Sequence, residues 1–210
     1  MMEPTNFAIL GLGFVLGLKH AADADHIVAV TTFIGDEKRV LRACAIGLFW
    51  GFGHTLALSA AGLAVVGLKL PISGRLAARL EFAVAVMMVL LGARLLATMH
   101  SSWHRRHRPV DWRFGLRPLA VGLVHGAAGS AALTLLALST ISSPLDAVLY
   151  ILLFGLGSIV GMAAVSLLIA VPFYMAQTHL AAALRPIQAT AGILSCAVGV
   201  YLGVDAWSGV

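Results

Sequence analysis

Charge is scarce in this 210-residue chain: Asp, Glu, Lys and Arg together make up 11% of it, against 60% hydrophobic residues. A soluble globular domain of this length needs far more polar surface to cover its core, so that class is excluded. Cysteine is also nearly absent. Cys44 and Cys196 both fall in apolar segments without a CxxC pattern, which excludes a disulfide framework and a thiolate metal cluster and leaves them as small core residues. No nucleotide-binding motif is present, so any use of ATP would need a partner. Residues 1–6 lack the basic n-region and small-residue cleavage site of a secretory signal, and the first apolar block is expected to be retained as a helix. The net charge of +5 does not point to nucleic acid, because the basic residues sit between hydrophobic runs and read as topology signals.

What the chain has in abundance is apolar length. Mean hydropathy is +0.96, and several apolar blocks exceed the roughly 20 residues needed to cross about 30 Å of hydrocarbon. The expected fold class is all-α and integral to a membrane, with six transmembrane helices at about 7–34, 43–68, 77–98, 118–141, 145–175 and 184–206. The first and fifth are too long for one straight crossing, which implies tilt, a break or an interfacial extension. The sequence is compatible with a homo-oligomer and does not specify one.

Glycine is plentiful at 22 residues, and Gly13/Gly17, Gly47/Gly51, Gly122/Gly126, Gly157/Gly161 and Gly199/Gly203 have GxxxG spacing. Small residues four apart let helix backbones approach closely in lipid. The two halves also echo one another. Gly17-Leu18-Lys19-His20 is followed 105 residues later by Gly122-Leu123-Val124-His125, residues 49–54 are echoed at 153–158, and Leu91-Gly92 at Val198-Gly199. A three-helix unit crosses the membrane an odd number of times, so two copies run in opposite directions. The expected organisation is therefore a 3+3 inverted repeat, with residues 1–98 as the first unit, 99–117 as a basic His-containing loop and 118–210 as the second.

The loops set the expected orientation. Lys38, Arg39, Arg42, Arg105, Arg106, Arg108, Arg113, Arg117 and Arg185 collect on one side, and Lys69, Arg75 and Arg79 on the other. The positive-inside bias places the first group in the cytoplasm and both termini outside. His100, His104 and His107 share their loop with four arginines, a charge that opposes metal binding and suits anionic lipid headgroups.

The informative stretch is Lys19-His20-Ala21-Ala22-Asp23-Ala24-Asp25-His26, five ionisable groups inside the first apolar block. Each charge at membrane depth costs on the order of 3 kcal/mol unless it is paired or hydrated. Two carboxylates and two imidazoles form a donor set suited to Ni²⁺, Co²⁺ or Zn²⁺, and a bound dication makes their burial tolerable. The imidazoles must be neutral to bind, so affinity is expected to fall in acid.

On an ideal helix His20, Asp23 and His26 spread over one side while Asp25 points away, so either the helix is locally broken or some of these groups are not direct ligands. The small residues Ala21, Ala22 and Ala24 favour a broken helix lining a cavity. A bare Lys19–Asp23 ion pair would account for Asp23 and would leave Asp25, His20 and His26 unexplained. His54 in the second span is the natural additional ligand, and His125 stands at the repeat-equivalent place of His20 without a carboxylate near it in sequence. The candidate metal set is thus His20, Asp23, Asp25, His26, His54 and His125.

The run HAADADHI at positions 20–27 resembles the H-x4-D-H signature of the nickel/cobalt transporter family, and Phe52-Gly53-His54-Thr55 is similar to that family's GH[ST] motif in the next helix. The resemblance implies a secondary permease for Ni²⁺ or Co²⁺ in the cytoplasmic membrane, the ion being substrate rather than cofactor, with His20, Asp25, His26 and His54 in metal recognition. Typical members have eight helices and later LGxDTATE-type acidic motifs, which are absent here. The stretch from His125 to Leu133 instead resembles shorter relatives described as urease accessory or nickel-permease-like proteins. Uptake is the expected direction. The rival readings are a non-transporting nickel accessory protein for urease or hydrogenase maturation and an intramembrane metal-dependent hydrolase, the latter weakened by the lack of HExxH.

Overall fold

A computed structural model describes residues 4–34, 37, 39–68, 73–100, 114–140, 143–179 and 181–208, which are helical almost throughout. In chain order the helices are α1 (Pro4–His20), α2 (Ala24–Ile34), α3 (Val40–Leu68), α4 (Gly74–His100), α5 (Leu116–Thr140), α6 (Pro144–His179) and α7 (Ala181–Ser208). Four of them, α3, α4, α6 and α7, contain segments long and apolar enough to cross a membrane by themselves. The arrangement is all-α, and the large side chains on its outside, among them Leu41, Leu168, Tyr201 and Trp207, are apolar and exposed.

The sequence predicts a first span over 7–34 that is too long for one straight crossing and broken near its acidic cluster, and the chain is broken there. Among the described residues it is two helices, of 17 and 11 residues, both shorter than the roughly 20 of an ordinary crossing. At the junction, the Ala21 amide still donates to Gly17 O at 3.2 Å. Ala22 N then donates to Lys19 O at 2.9 Å and Asp23 N to His20 O at 3.0 Å, the tighter three-residue spacing that closes a helix end. Asp23 O accepts the Ile27 amide at 3.0 Å and so opens α2. Aspartate suits this place: it is a preferred residue at a helix N-cap, and Asp25 in the first turn of α2 faces the positive end of that helix dipole. Room for the turn comes from α6, where a Cβ on Gly161 would lie 2.6 Å from the Ala21 Cβ.

Helix pairs cross at glycine, and the crossings come in matched sets. Gly17 of α1 lies against Phe154 O and Ser158 N of α6, while Gly122 of α5 lies against Trp50 O and His54 N of α3. Gly157 of α6 lies against Phe14 O and Leu18 N, while Gly53 of α3 lies against Leu119 O and Leu123 N. In both sets the corresponding residues are 104 or 105 positions apart. The α4–α7 contact is reciprocal too: Gly92 packs on Gly192 O and Cys196, and Gly199 on Ala85 O and Val89. Ser195 Oγ there donates to Met88 O at 2.8 Å and Cys196 Sγ to Val89 O at 3.7 Å, each pair 107 residues apart. Cys196 is thus a small packing residue, as its apolar surroundings predict, and both cysteines are free.

The basic loop's His104, His107, Arg105, Arg106, Arg108 and Arg113, together with Lys38 and Lys69, lie outside the described residues, and so does the side chain of His100.

Candidate metal centre

Three helical features converge on one small volume: the α1–α2 break, the middle of α3 and the middle of α5. The break carries His20, Asp23, Asp25 and His26. His54 and, one helical turn earlier, Trp50 come from α3. His125 comes from α5, and it arrives there because Gly122 and Gly126, on either side of it, let α5 touch the α3 backbone at Trp50 and His54. A side chain at either glycine would collide with a main-chain carbonyl, of Trp50 or of His54. The glycines thus position an imidazole that is itself 2% exposed.

The four imidazoles form a tight group. The ring of His20 lies 4.7 Å from that of His26 and 5.1 Å from that of His54, and His26 and His54 are 5.2 Å apart. The His26 and His125 rings stack at 4.1 Å. Aromatic rings wall the group: Trp50 stacks on His26 at 6.1 Å and lies 5.8 Å from His125, and Phe154 of α6 lies 5.5 Å from His20. His54 is wholly buried, and His26, His125, Trp50 and Phe154 are each at most 3% exposed.

The carboxylates hold the rings by one nitrogen each. His20 Nδ1 meets Asp23 Oδ2 at 2.7 Å and His26 Nδ1 meets Asp25 Oδ1 at 3.0 Å, while the other Asp25 oxygen, Oδ2, takes His125 Nε2 at 2.9 Å. Asp25 Oδ1 also accepts the His26 amide at 2.9 Å, which locks the carboxylate against the first turn of α2. An ionised carboxylate only accepts hydrogen bonds, so each facing nitrogen carries a hydrogen and the opposite nitrogen of a neutral ring keeps its lone pair. Those opposite nitrogens are His20 Nε2, His26 Nε2 and His125 Nδ1. All are buried without a hydrogen-bond partner among the described residues, and so are both nitrogens of His54.

Buried polar atoms are rarely left in this state, and each normally costs about 1–3 kcal/mol. The imidazole nitrogens among them are close enough together for one cation to satisfy several at once. One donor each from His20, His26 and His54 lies within 4.8 Å of the others, and a second group with the same spacing is Asp25, His26 and His125. Bonds of about 2.0–2.1 Å from a transition-metal ion to imidazole nitrogen separate two ligands by at most about 4.2 Å, close to the limit within which these donors lie. The donor chemistry fits such an ion: neutral nitrogens in front, those of His20 and His26 backed by a carboxylate on the far nitrogen, as ligating histidines usually are. The C-terminal end of α1 adds a partial negative charge at the same place.

Over almost its whole length the chain resembles one curated protein. It is 35% identical over 205 residues to the urease accessory protein UreH of Bacillus sp. (strain TB-90), an alignment spanning 92% of this chain and 90% of that one. The chain belongs to the UreH family. No family model matches it, and no solved structure does.

Within this UreH relative, all six residues singled out from the sequence lie at the α1–α2 break or face it. The sequence also led us to expect that not every polar group there need be a direct ligand, and the hydrogen bonds divide the set accordingly. Asp23, half exposed at 49%, turns to His20 and not to Lys19. Asp25 reaches two rings at once. Sequence reasoning missed the Trp50 and Phe154 walls. The available signal was spacing: Trp50 precedes His54 by four residues, one turn on the same helix face, and Phe154 stands 104 residues after Trp50.

Proposed function

We propose that this UreH-family protein is a secondary permease that carries a divalent transition-metal ion, Ni²⁺ or Co²⁺, across the cytoplasmic membrane. The reading rests on one observation above all: His20, His26 and His54 turn buried, partnerless nitrogens toward one another at a break in a helix. In this reading His20 Nε2, His26 Nε2 and a nitrogen of His54 replace part of the ion's water shell, and Asp23 and Asp25 fix the tautomers and balance the charge from behind. Discontinuous helices at a substrate site are common in transporters, because their ends supply polar groups inside an apolar slab.

The matched glycine crossings support a 3+3 inverted repeat, in which α1 and α2 together make the first of six crossings and α5 the fourth. The loop charges favour termini on the outside. An inside-negative potential drives a dication inward by about 4.6 kcal/mol at 100 mV, which favours uptake.

The name of the Bacillus relative favours a second reading, in which the protein supports urease assembly and moves no ion itself. Flux separates the two. Purified protein in liposomes is expected to admit radioactive Ni²⁺ or Co²⁺, and His20→Ala is expected to abolish the uptake. Wild-type vesicles that bind the ion but stay closed to it would favour the accessory reading, and uptake undiminished in His20→Ala would reject the site.

A further inference from the structure

The first three imidazoles leave His125 outside their group, although it is buried, stacked on His26 and bonded to Asp25. We propose that Asp25, His26 and His125 form a second cation position, adjacent to the first and sharing His26 with it; as a step in passage it rests on the permease reading.

Three observations carry this. One donor atom from each of the three residues lies within 4.8 Å of the other two, the same limit that holds for the first group. The nitrogens that face Asp25, His26 Nδ1 and His125 Nε2, already converge on one carboxylate, so an ion placed among them exchanges two N–H···O contacts for three coordinate bonds. The position also spans the two halves, with Asp25 and His26 on α2 and His125 on α5.

Occupancy alternates between the two positions because of His26. In the first position its Nε2 binds and its Nδ1 holds the hydrogen. In the second position Nδ1 binds, and the hydrogen sits on Nε2. His125 likewise moves its hydrogen from Nε2 to Nδ1, so both rings stay neutral and no net proton is gained or lost. One ion at a time is the consequence. The second position is the weaker of the two and lies on the α5 side, so an ion that leaves the first is held only briefly on its way toward α5. Beyond His125 the rest of α5, residues 126–140, contains no His, Cys, Asp or Glu, so no strong ligand holds an ion that moves on along it.

The test uses the full chain reconstituted in liposomes, with Co²⁺ as probe for both equilibrium binding and flux. His125→Gln keeps a donor for Asp25 but replaces the imidazole ligand. His125→Asn, one methylene shorter, repeats the measurement should the glutamine variant fold poorly. Wild type is expected to bind one ion per chain. The glutamine variant is expected to bind within about threefold of it while flux falls at least about tenfold, the scale of losing one metal-site group.

His54→Ala, which dismantles the first position, is expected to keep weaker binding that the His54→Ala/His125→Gln double variant loses. Wild-type flux in His125→Gln, or equal binding in His54→Ala and the double variant, overturns the proposal. Should wild type bind without transporting, while the double variant still loses what His54→Ala retains, the permease reading falls and the second position stands.

Discussion

The two halves of this molecule are packed alike and equipped differently. Gly17 against Phe154 and Ser158 is matched by Gly122 against Trp50 and His54, residue for residue at an offset of 104 or 105. The chemistry does not follow. His20 has His125 as its counterpart, but Asp23 answers to Ala128, Asp25 to Ser130, His26 to Ala131, and His54 to Ser158. Backbone approach is thus shared, while the buried ionisable groups were gathered into one half, with a single imidazole contributed by the other. Packing in lipid depends on small residues at crossings and tolerates any chemistry elsewhere, so a scaffold can stay symmetric while its site does not.

The sharpest way to break this comparison is to make the first half resemble the second at its most buried ligand. His54→Ser installs the residue found at 158. A direct ligand is lost, which exceeds the roughly 10–100-fold effect typical of supporting groups. We expect Co²⁺ affinity to fall by more than about 100-fold while the helical fold persists, read by equilibrium binding alongside circular dichroism. Affinity within tenfold of wild type would mean that His54 is a packing residue and that the asymmetry between halves has no bearing on the ion.

Much of this was legible in the sequence, for physical reasons that differ from place to place. Helix positions were readable because lipid imposes long apolar runs: the predicted 43–68 became Val40–Leu68, and 145–175 lies within Pro144–His179. The break was readable because Asp23 and Asp25 are unfavourable inside a continuous apolar helix and suit a new N-terminus. What the sequence concealed was the direction of the side chains. Spacing on a continuous helix sets His20, Asp23 and His26 on one side and turns Asp25 away. Only the turn at 21–23 shows each carboxylate gripping the far nitrogen of a ring. The place of His125 was concealed in another way: the 105-residue offset matches it with His20, yet the crossing of α5 on α3 stacks it against His26.

A smaller effect sharpens the shared side of the comparison. Gly17→Ala and Gly122→Ala place a methyl group against main-chain carbonyls of Phe154 and Trp50, atoms that cannot swing away. Overpacking of this kind costs about 1–3 kcal/mol, and the two variants are expected to lose similar amounts of thermal stability in detergent. Gly11→Ala is the control. A Cβ there meets nothing within 4 Å, and alanine favours a helix over glycine by up to about 1 kcal/mol. A large loss at one of the matched glycines and none at the other would show that the halves are not packed equivalently.

The smallest expected effect belongs to Ser158, the counterpart of His54. Its hydroxyl donates to Phe154 O at 3.0 Å, with Gly17 O at 3.4 Å, and the side chain is fully buried. Phe154 O is a helix carbonyl with a backbone partner of its own, so removing the hydroxyl strands no charge and leaves no ionisable group unsatisfied. Ser158→Ala should therefore cost only about 0.6–1 kcal/mol of stability, with Co²⁺ affinity unchanged. The same position would become costly if the second half held an ion of its own at the matching crossing, because Ser158 Oγ is the donor that would stand where His54 stands. A loss of binding in Ser158→Ala comparable to that in His54→Ser would mean that the chemistry follows the packing symmetry after all.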